Sequence, residues 1–305
     1  MPPPPSTPPI VAIVGPTASG KTSLSLDLAE ALGGEIVNTD AMQVYRGMDI
    51  GTAKAPIEER RGIPHHLLDT LDVGEPATVA EFQVWARAAI ADIRDRGATP
   101  VLVGGSALYT RAILDRFDFP GTDPAVRARL EAELAEVGSP VLHARLRELD
   151  PEAAGRIEVE NGRRVVRALE VIEITGAPFS AHLPVQEYVD PHTVQLGVAI
   201  DRETLDRRIE ERVRGMFDDG LLDEVERLLD DGLAESRTAS AAIGYRQAMA
   251  VLAGELTRDE AIERTAVATR QFARRQLAWW RKDPRITWLA YDDPERVAKA
   301  LTAVG

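Results

Sequence analysis

Cysteine is absent from all 305 residues, which excludes disulfides, thiolate metal ligands and cysteine nucleophiles. No apolar run approaches the length of a transmembrane helix, and no signal peptide is visible. A soluble chain of the cytoplasm is therefore the expected class. Positive charge is short: 36 Lys and Arg stand against 49 Asp and Glu, a formal net charge of −13. Such a balance argues against a polyanion gathered by net charge, though not against one held by a local basic patch. Hydrophobic residues make up 44% of the chain, enough for a proper core, and the length suits one large domain or two modest ones. Met1 to Pro9 is Pro-rich and is expected to be a disordered lead-in.

The strongest local signal is Gly15-Pro16-Thr17-Ala18-Ser19-Gly20-Lys21-Thr22, which fits the G-x-x-x-x-G-K-[ST] phosphate loop at every fixed position. Ile10 to Val14 before it is an apolar, β-branched run that reads as a buried strand. Leu24, Leu26, Leu28, Ala29 and Leu32 after it suit a helix packed on a sheet and closed by Gly33-Gly34. Two glycines let the backbone curl until its N–H groups converge, and the helix N-terminus adds positive potential. Lys21 is expected on phosphate oxygens and Thr22 on a magnesium ion. A diphosphate or a triphosphate fills such a cradle equally well.

Further strands are expected at Glu35–Asn38, Thr99–Val103, Thr193–Ile200 and Ile286–Leu289, with Thr78–Arg96 as a crossover helix striped by Phe82, Trp85, Ala89 and Ile93. The fold class is α/β, a phosphate-loop parallel sheet core formed by residues 10–121 and 193–305. Residues 122–192 read as a helical insertion: Asp123 to Glu148 is helical throughout, Asp150-Pro151 opens another helix, and no strand pattern intervenes. In an open parallel sheet the carboxyl ends of strands face the ligand crevice. Asp40 therefore falls near the phosphate loop, and Ser106, in the Gly104-Gly105-Ser106 turn, at the crevice rim.

Several cations have two readings. Arg46 and Lys54 either surround the phosphates or are surface charges. Arg208 and Arg212 share one helix face beside a stripe of Ile209, Val213 and Met216; they either hold a leaving phosphate or pair with Asp206, Glu210 or Glu211. Arg163, Arg164 and Arg167 form a basic cluster, or a solvated face paired with Glu158, Glu160 and Glu170. In the last long helix, Thr257 to Lys282, Arg270, Arg274 and Arg281 share a stripe with Trp279 and Trp280 near its end, which suits nucleic acid or a packed helix with snorkelling arginines. His65-His66 has no third ligand at a metal spacing. A phosphate loop beside an acidic strand end serves either a small-molecule or nucleotide kinase, with Asp40 as base for a hydroxyl, or a transferase whose leaving group is a diphosphate.

The block Asp40-Ala41-Met42-Gln43-Val44-Tyr45-Arg46-Gly47-Met48-Asp49-Ile50-Gly51-Thr52-Ala53-Lys54, together with the phosphate loop, resembles the bacterial tRNA dimethylallyltransferase family, also called tRNA isopentenyltransferase or IPP transferase. Pro64–Asp69, Leu102–Ser106, Arg167–Val171, Ile243–Gln247 and Thr269–Gln276 resemble further blocks in the same order. The resemblance runs from about Ile10 to Leu289. It implies transfer of a dimethylallyl group from dimethylallyl diphosphate to the exocyclic N6 amine of the adenosine 3′ of the anticodon, position 37, in tRNAs reading codons that begin with U.

The resemblance also implies residue roles. Asp40, Ser106 and Arg212 become catalytic, and Gly15 to Thr22 hold the diphosphate with Mg2+ on Thr22. The anticodon stem-loop of tRNA meets Asp40, Ala41, Met42, Gln43, Ser106, Arg127, Arg163, Arg164, Val165, Val166 and Arg167. Ala41 stands where many members have Ser, Ala107 where many have Gly, and Arg163 where many have Gln. No Cys/His zinc module follows the core, as in bacterial members. A monomer without membrane association is expected.

Overall fold

The computed structural model describes residues 7–117, 119–182 and 185–305. Met1 to Ser6 of the expected lead-in lie outside the described residues. The chain forms two compact units: the residues up to Leu114 together with Tyr188–Gly305, and Asp115–Glu187. Val189 N–H donates to the Leu114 carbonyl within the first unit, and Arg116 N–H donates to the Glu187 carbonyl within the second. The division therefore falls at these paired segments, outside residue 122 on one side and inside residue 192 on the other.

The first unit is a six-stranded parallel sheet: β1 (Ile10–Val14), β2 (Gly34–Asn38), β3 (His65–His66), β4 (Thr99–Val103), β5 (Thr193–Ala199) and β6 (Ile286–Ala290), in spatial order β3-β2-β4-β1-β5-β6. β1 lies inside the sheet, between β4 and β5, and all five of its residues are buried. Side chains alternate across a strand, and two separate cores follow. Ile10 and Ala12 of β1, with Val37 and Leu102, join one apolar cluster; Val11 and Ile13, with Ile36 and Val101, join the other.

Helices α1 (Lys21–Leu32), α2 (Val79–Asp95) and α3 (Ala107–Leu114) alternate with the early strands. Gly33 ends α1 in the left-handed conformation with its N–H on the Ala29 carbonyl. Gly34 already belongs to β2, where a Cβ would lie 2.5 Å from the Thr99 carbonyl. Thr78 caps α2, accepting from Glu81 N–H at 3.2 Å. The buried stripe of α2 is Phe82, Ala86, Ile90 and Ile93. Trp85 and Ala89 are only half-buried, because four-residue steps from Phe82 follow the helix better than the three-residue step to Trp85.

The second unit holds α4 (Pro124–Val137), α5 (Ser139–Leu149), α6 (Pro151–Arg156) and α7 (Gly162–Thr175), packed on Leu130, Leu142, Leu146, Val165, Val166 and Leu169. The expected helix from Asp123 to Glu148 is thus two helices, broken at Gly138, whose φ is 80°. Asp123 and Asp150 cap α4 and α6, accepting backbone N–H bonds at 2.8 and 3.0 Å.

Returning to the first unit, α8 (Arg202–Asp218) is capped by Asp201, and α9 (Leu221–Asp230), α10 (Tyr245–Leu252), α11 (Arg258–Trp280) and α12 (Arg296–Val304) follow. Phe217 rather than Met216 completes the buried stripe of α8. Thr257 and Glu260 form the reciprocal capping box of α11. Among the described residues no helix is long and apolar enough to cross a membrane.

Candidate active site

Parallel strands bring the loops after β1, β2, β4 and β5 to one edge of the sheet. The loop after β1 curls through positive φ at Gly15 (141°), Ala18 (62°) and Gly20 (93°). The left-handed Ala18 costs on the order of 1 kcal/mol or more, a strain that surrounding structure must hold in place. The N–H groups of Ala18, Ser19 and Gly20 have no acceptor among the described residues. They lead directly into the N-terminus of α1, the arrangement that receives an anion. Ser19 is buried, and its hydroxyl has no partner among the described residues. Thr22 is exposed at the start of the helix.

Lys21 is half-buried and donates to the Pro16 carbonyl at 2.7 Å. Desolvation, helped by the nearby Arg212 guanidinium and opposed by Asp40, lowers its pKa to about 7. Arg212 lies open to the cleft yet crowded by protein, and its own pKa is lowered first by desolvation and then by Arg208. No carboxylate lies within ion-pair distance of it among the described residues. The three acids that could have taken it are engaged elsewhere: Asp206 with Arg202, Glu210 with Arg270 and Glu211 with Arg207. Arg208 lies over the Tyr291 ring, 4.6 Å from its centroid. Arg296 bonds Ser23 Oγ at 3.3 Å and the Tyr291 carbonyl at 2.7 Å. Cationic charge thus gathers around the loop; Arg296 has Asp27 at 3.9 Å, while Arg208 and Arg212 have no ion pair among the described residues.

Asp40 follows β2 and is fixed by Asn38. The Asn38 amide accepts from Asp40 N–H at 2.8 Å and donates to the carbonyls of Asp40 and Leu67 at 3.0 Å each. Asp40 Oδ1 accepts from Met42 N–H at 2.9 Å. Burial pushes the Asp40 carboxyl above its usual range, against the pull of the Met42 N–H and the Lys21 ammonium. Asp40 and Lys21 therefore feel one another across the cleft, and Asp40 has the raised proton affinity useful to a general base. Ala41, Met42 and Gln43 are half-buried beside it. Gln43 donates to the Thr52 carbonyl at 3.1 Å.

The segment around Thr52 has its own anchor, which the sequence reading missed. Glu224 of α9, 2% exposed, accepts from Asp49, Ile50 and Gly51 N–H at 3.1, 2.7 and 3.2 Å and from the Tyr245 hydroxyl at 2.5 Å. A Cβ on Gly51 would lie 2.4 Å from the Tyr245 ring. The available signal was an acid on an apolar stripe, Leu221, Glu224, Val225 and Leu228. Arg46 and Lys54 serve structure here: Arg46 pairs with Asp72 at 2.6 Å, and buried Lys54 pairs with Asp49 and Asp69 at 2.6 Å each.

Ser106 is half-buried, and its hydroxyl has no hydrogen-bond partner among the described residues. Thr39 Oγ1 and Thr110 Oγ1, 3.0 Å apart, tie the end of β2 to α3 beside it. Gln276 of α11 joins the same turn to the phosphate loop, accepting from Thr17 N–H at 2.9 Å and donating to the Gly105 carbonyl at 3.0 Å. On the outer side of α11, Arg270 is paired with Glu210, while Arg274, Arg275 and Arg281 are exposed and without ion pairs among the described residues, and Trp279 is 48% exposed. Trp280 is buried in the core.

In the second unit the expected basic cluster divides by role. Arg127 and Arg167 both bond buried Glu170, and Arg167 also bonds the Pro120 and Gly121 carbonyls at 2.6 and 3.2 Å. Burial draws the Glu170 carboxyl up, but the two guanidiniums outweigh it and hold it below the usual range. Val165 and Val166 are buried in the unit's core, so their side chains are closed to any ligand. Arg163 and Arg164 are exposed and without ion pairs among the described residues. His66 bonds Glu35 at 2.6 Å, and the described residues contain no metal-binding cluster of His and acidic groups.

Fold and site together define a phosphate-loop α/β protein with a cationic anion cradle facing a raised-pKa carboxylate. Its sequence matches the model of the family described as "IPP transferase" over residues 43–283. It is 71% identical over 304 residues to a tRNA dimethylallyltransferase of Nocardioides sp., covering 100% of this chain and 98% of that protein. It is 58% identical over 299 residues to one of Salinispora tropica, covering 97% and 92%. Among solved structures it resembles the tRNA isopentenylpyrophosphate transferase of Bacillus halodurans (TM-score 0.70, 41% identity, 97% and 94% coverage). It also resembles a eukaryotic dimethylallyltransferase acting on tRNA (TM-score 0.82, 28% identity, 96% and 76% coverage). The chain belongs to the IPP transferase family. These relatives are transferases, and the kinase alternative has no support among them.

Proposed function

We propose that the chain transfers a dimethylallyl group from dimethylallyl diphosphate to N6 of adenosine 37 in tRNAs reading codons that begin with U. The observation that carries this reading is the mutual electrostatic influence of Lys21, within the phosphate loop, and Asp40, just after β2. One side of the cleft suits a leaving diphosphate, and the other suits a proton acceptor. In the step, the bond from prenyl C1 to the diphosphate oxygen breaks and takes its electron pair with the diphosphate. A bond from C1 to N6 forms, and the proton lost from N6 goes to Asp40. Lys21, Arg212 and the loop N–H groups would neutralise the departing charge.

The exposed Thr22 hydroxyl fits a magnesium ion, which takes few protein ligands and shares phosphate oxygens. Bound there, it would add charge stabilisation of the leaving group. Gln43 and Ser106 would meet the acceptor base, which must leave its stack to reach the donor. A chain of net charge −13 needs local basic surface for RNA; the exposed arginines of α11 offer it on the first unit, and Arg163 and Arg164 offer it separately on the second. Arg127 and Arg167 would support that surface through Glu170. The enzyme would act as a monomer in the cytoplasm.

The test is nucleoside analysis of an unmodified anticodon stem-loop after incubation with dimethylallyl diphosphate and Mg2+. N6-isopentenyladenosine is expected 3′ of the anticodon; an unchanged adenosine there would contradict the proposal.

A further inference from the structure

Gln276 is 6% exposed and lies on the buried stripe of α11 with Ala273 and Trp280. Both ends of its amide are engaged: Oε1 accepts from Thr17 N–H and Nε2 donates to the Gly105 carbonyl. Only one orientation of the amide satisfies an N–H and a carbonyl together. A Cβ on Gly105 would lie 2.2 Å from Nε2, so this contact itself requires glycine at 105. Arg274 and Arg275, immediately before Gln276, are exposed and have no ion pair among the described residues, and Trp279 is exposed one turn later. One rigid helix thus carries the outward basic and aromatic face and an inward amide gripping the phosphate loop and the Ser106 turn.

We propose that Gln276 is a positioning residue that couples the two substrate sites. RNA seated on the outer face of α11 fixes the helix, the amide fixes Thr17 and Gly105, and the phosphate loop is held in its donor-binding form. Buried amide bonds have no water to replace them, so helix, loop and turn adjust together. By reciprocity, a bound diphosphate tightens RNA binding by the same factor. The inference rests on the transfer function proposed above.

The test measures the affinity of the full chain for an anticodon stem-loop RNA with and without dimethylallyl thiolodiphosphate and Mg2+. The wild type should bind RNA about fivefold or more tightly with the analogue present. Gln276→Glu keeps the acceptor for Thr17 N–H but sets a carboxylate oxygen against the Gly105 carbonyl. Gly105→Ala displaces the amide from the other side. Both variants should bring the ratio to about one and lower kcat more than either KM, with RNA affinity in the absence of the analogue within about twofold of wild type. A wild-type ratio of one, or a ratio unchanged in both variants, would overturn the coupling. Equal losses of RNA and analogue affinity, with the ratio kept, would leave Gln276 a packing residue and also overturn it. Failure of the function itself would read differently: the wild type would neither bind the stem-loop nor prenylate it.

Discussion

The Tyr245 hydroxyl donates to Glu224 at 2.5 Å inside the core, and the same carboxylate holds three consecutive N–H groups of Asp49, Ile50 and Gly51. Two stretches that are far apart in sequence and resemble separate family blocks are thereby one structural feature. Glu224→Ala strands four donors, the buried Tyr245 hydroxyl and three part-buried N–H groups, and should destabilise the chain by roughly 3 kcal/mol, whereas Tyr245→Phe, losing one bond, should cost about 1 kcal/mol. Urea denaturation would measure both. Equal small losses would show that the carboxylate is not the anchor.

Lys21 has its pKa lowered to about 7. At pH 8 roughly nine-tenths of its amine is neutral, against well under one per cent for a lysine at its ordinary 10.5. An amine-acylating reagent at that pH should modify Lys21 first among the four lysines, judged by mass spectrometry. A bound diphosphate favours the charged form, so it should raise the pKa and suppress the reaction. Labelling of Lys21 no faster than of Lys299, which Asp293 holds protonated, would contradict the desolvated environment.

Asp40 has its carboxyl raised by burial. As a base it must be ionised, so the single-turnover rate should fall as pH drops through that raised value and level off above it. Asp40→Asn should lower the rate by about two to four orders of magnitude with RNA binding retained. A variant with full rate, or a rate unaffected by acid, would remove Asp40 from the step.

The second unit separates binding from structure. Arg163→Ala with Arg164→Ala removes two exposed cations and should weaken RNA binding while lowering the salt slope by about two. Arg127→Ala should act on stability instead, because it strips one of the two guanidiniums from buried Glu170. Glu170 has its carboxyl held below 4.5, so its stabilising contribution is complete above that ordinary value and is lost as pH falls through the lowered one. Chemical denaturation between pH 7 and 3 would follow this loss, which should shrink in Arg127→Ala.

What could be read from sequence was whatever is local. The phosphate loop and the strands β1 and β4 depend on neighbours within a few residues, and each stands where its residues imply. The break at Gly138 was missed because charged helical residues continue on both sides of it. The roles of Gln276 and Glu224 lay beyond reach for a different reason: Thr17 and Ile50 lie 259 and 174 residues from them. A polar residue on an apolar stripe announces a buried partner but not which one. Val165 and Val166 show the converse, since a segment whose arginines face outward on a helix must turn its valines in.

The central claim is that the phosphate loop holds a leaving diphosphate while Asp40 takes the proton of the attacking amine. The most direct measurement follows dimethylallyl diphosphate labelled in the prenyl group, with unmodified tRNA and Mg2+ and without ATP. Equal amounts of label in the adenosine beside the anticodon and of diphosphate in solution are the expected result. RNA without label, together with phosphate transfer from ATP to a small acceptor, would contradict it.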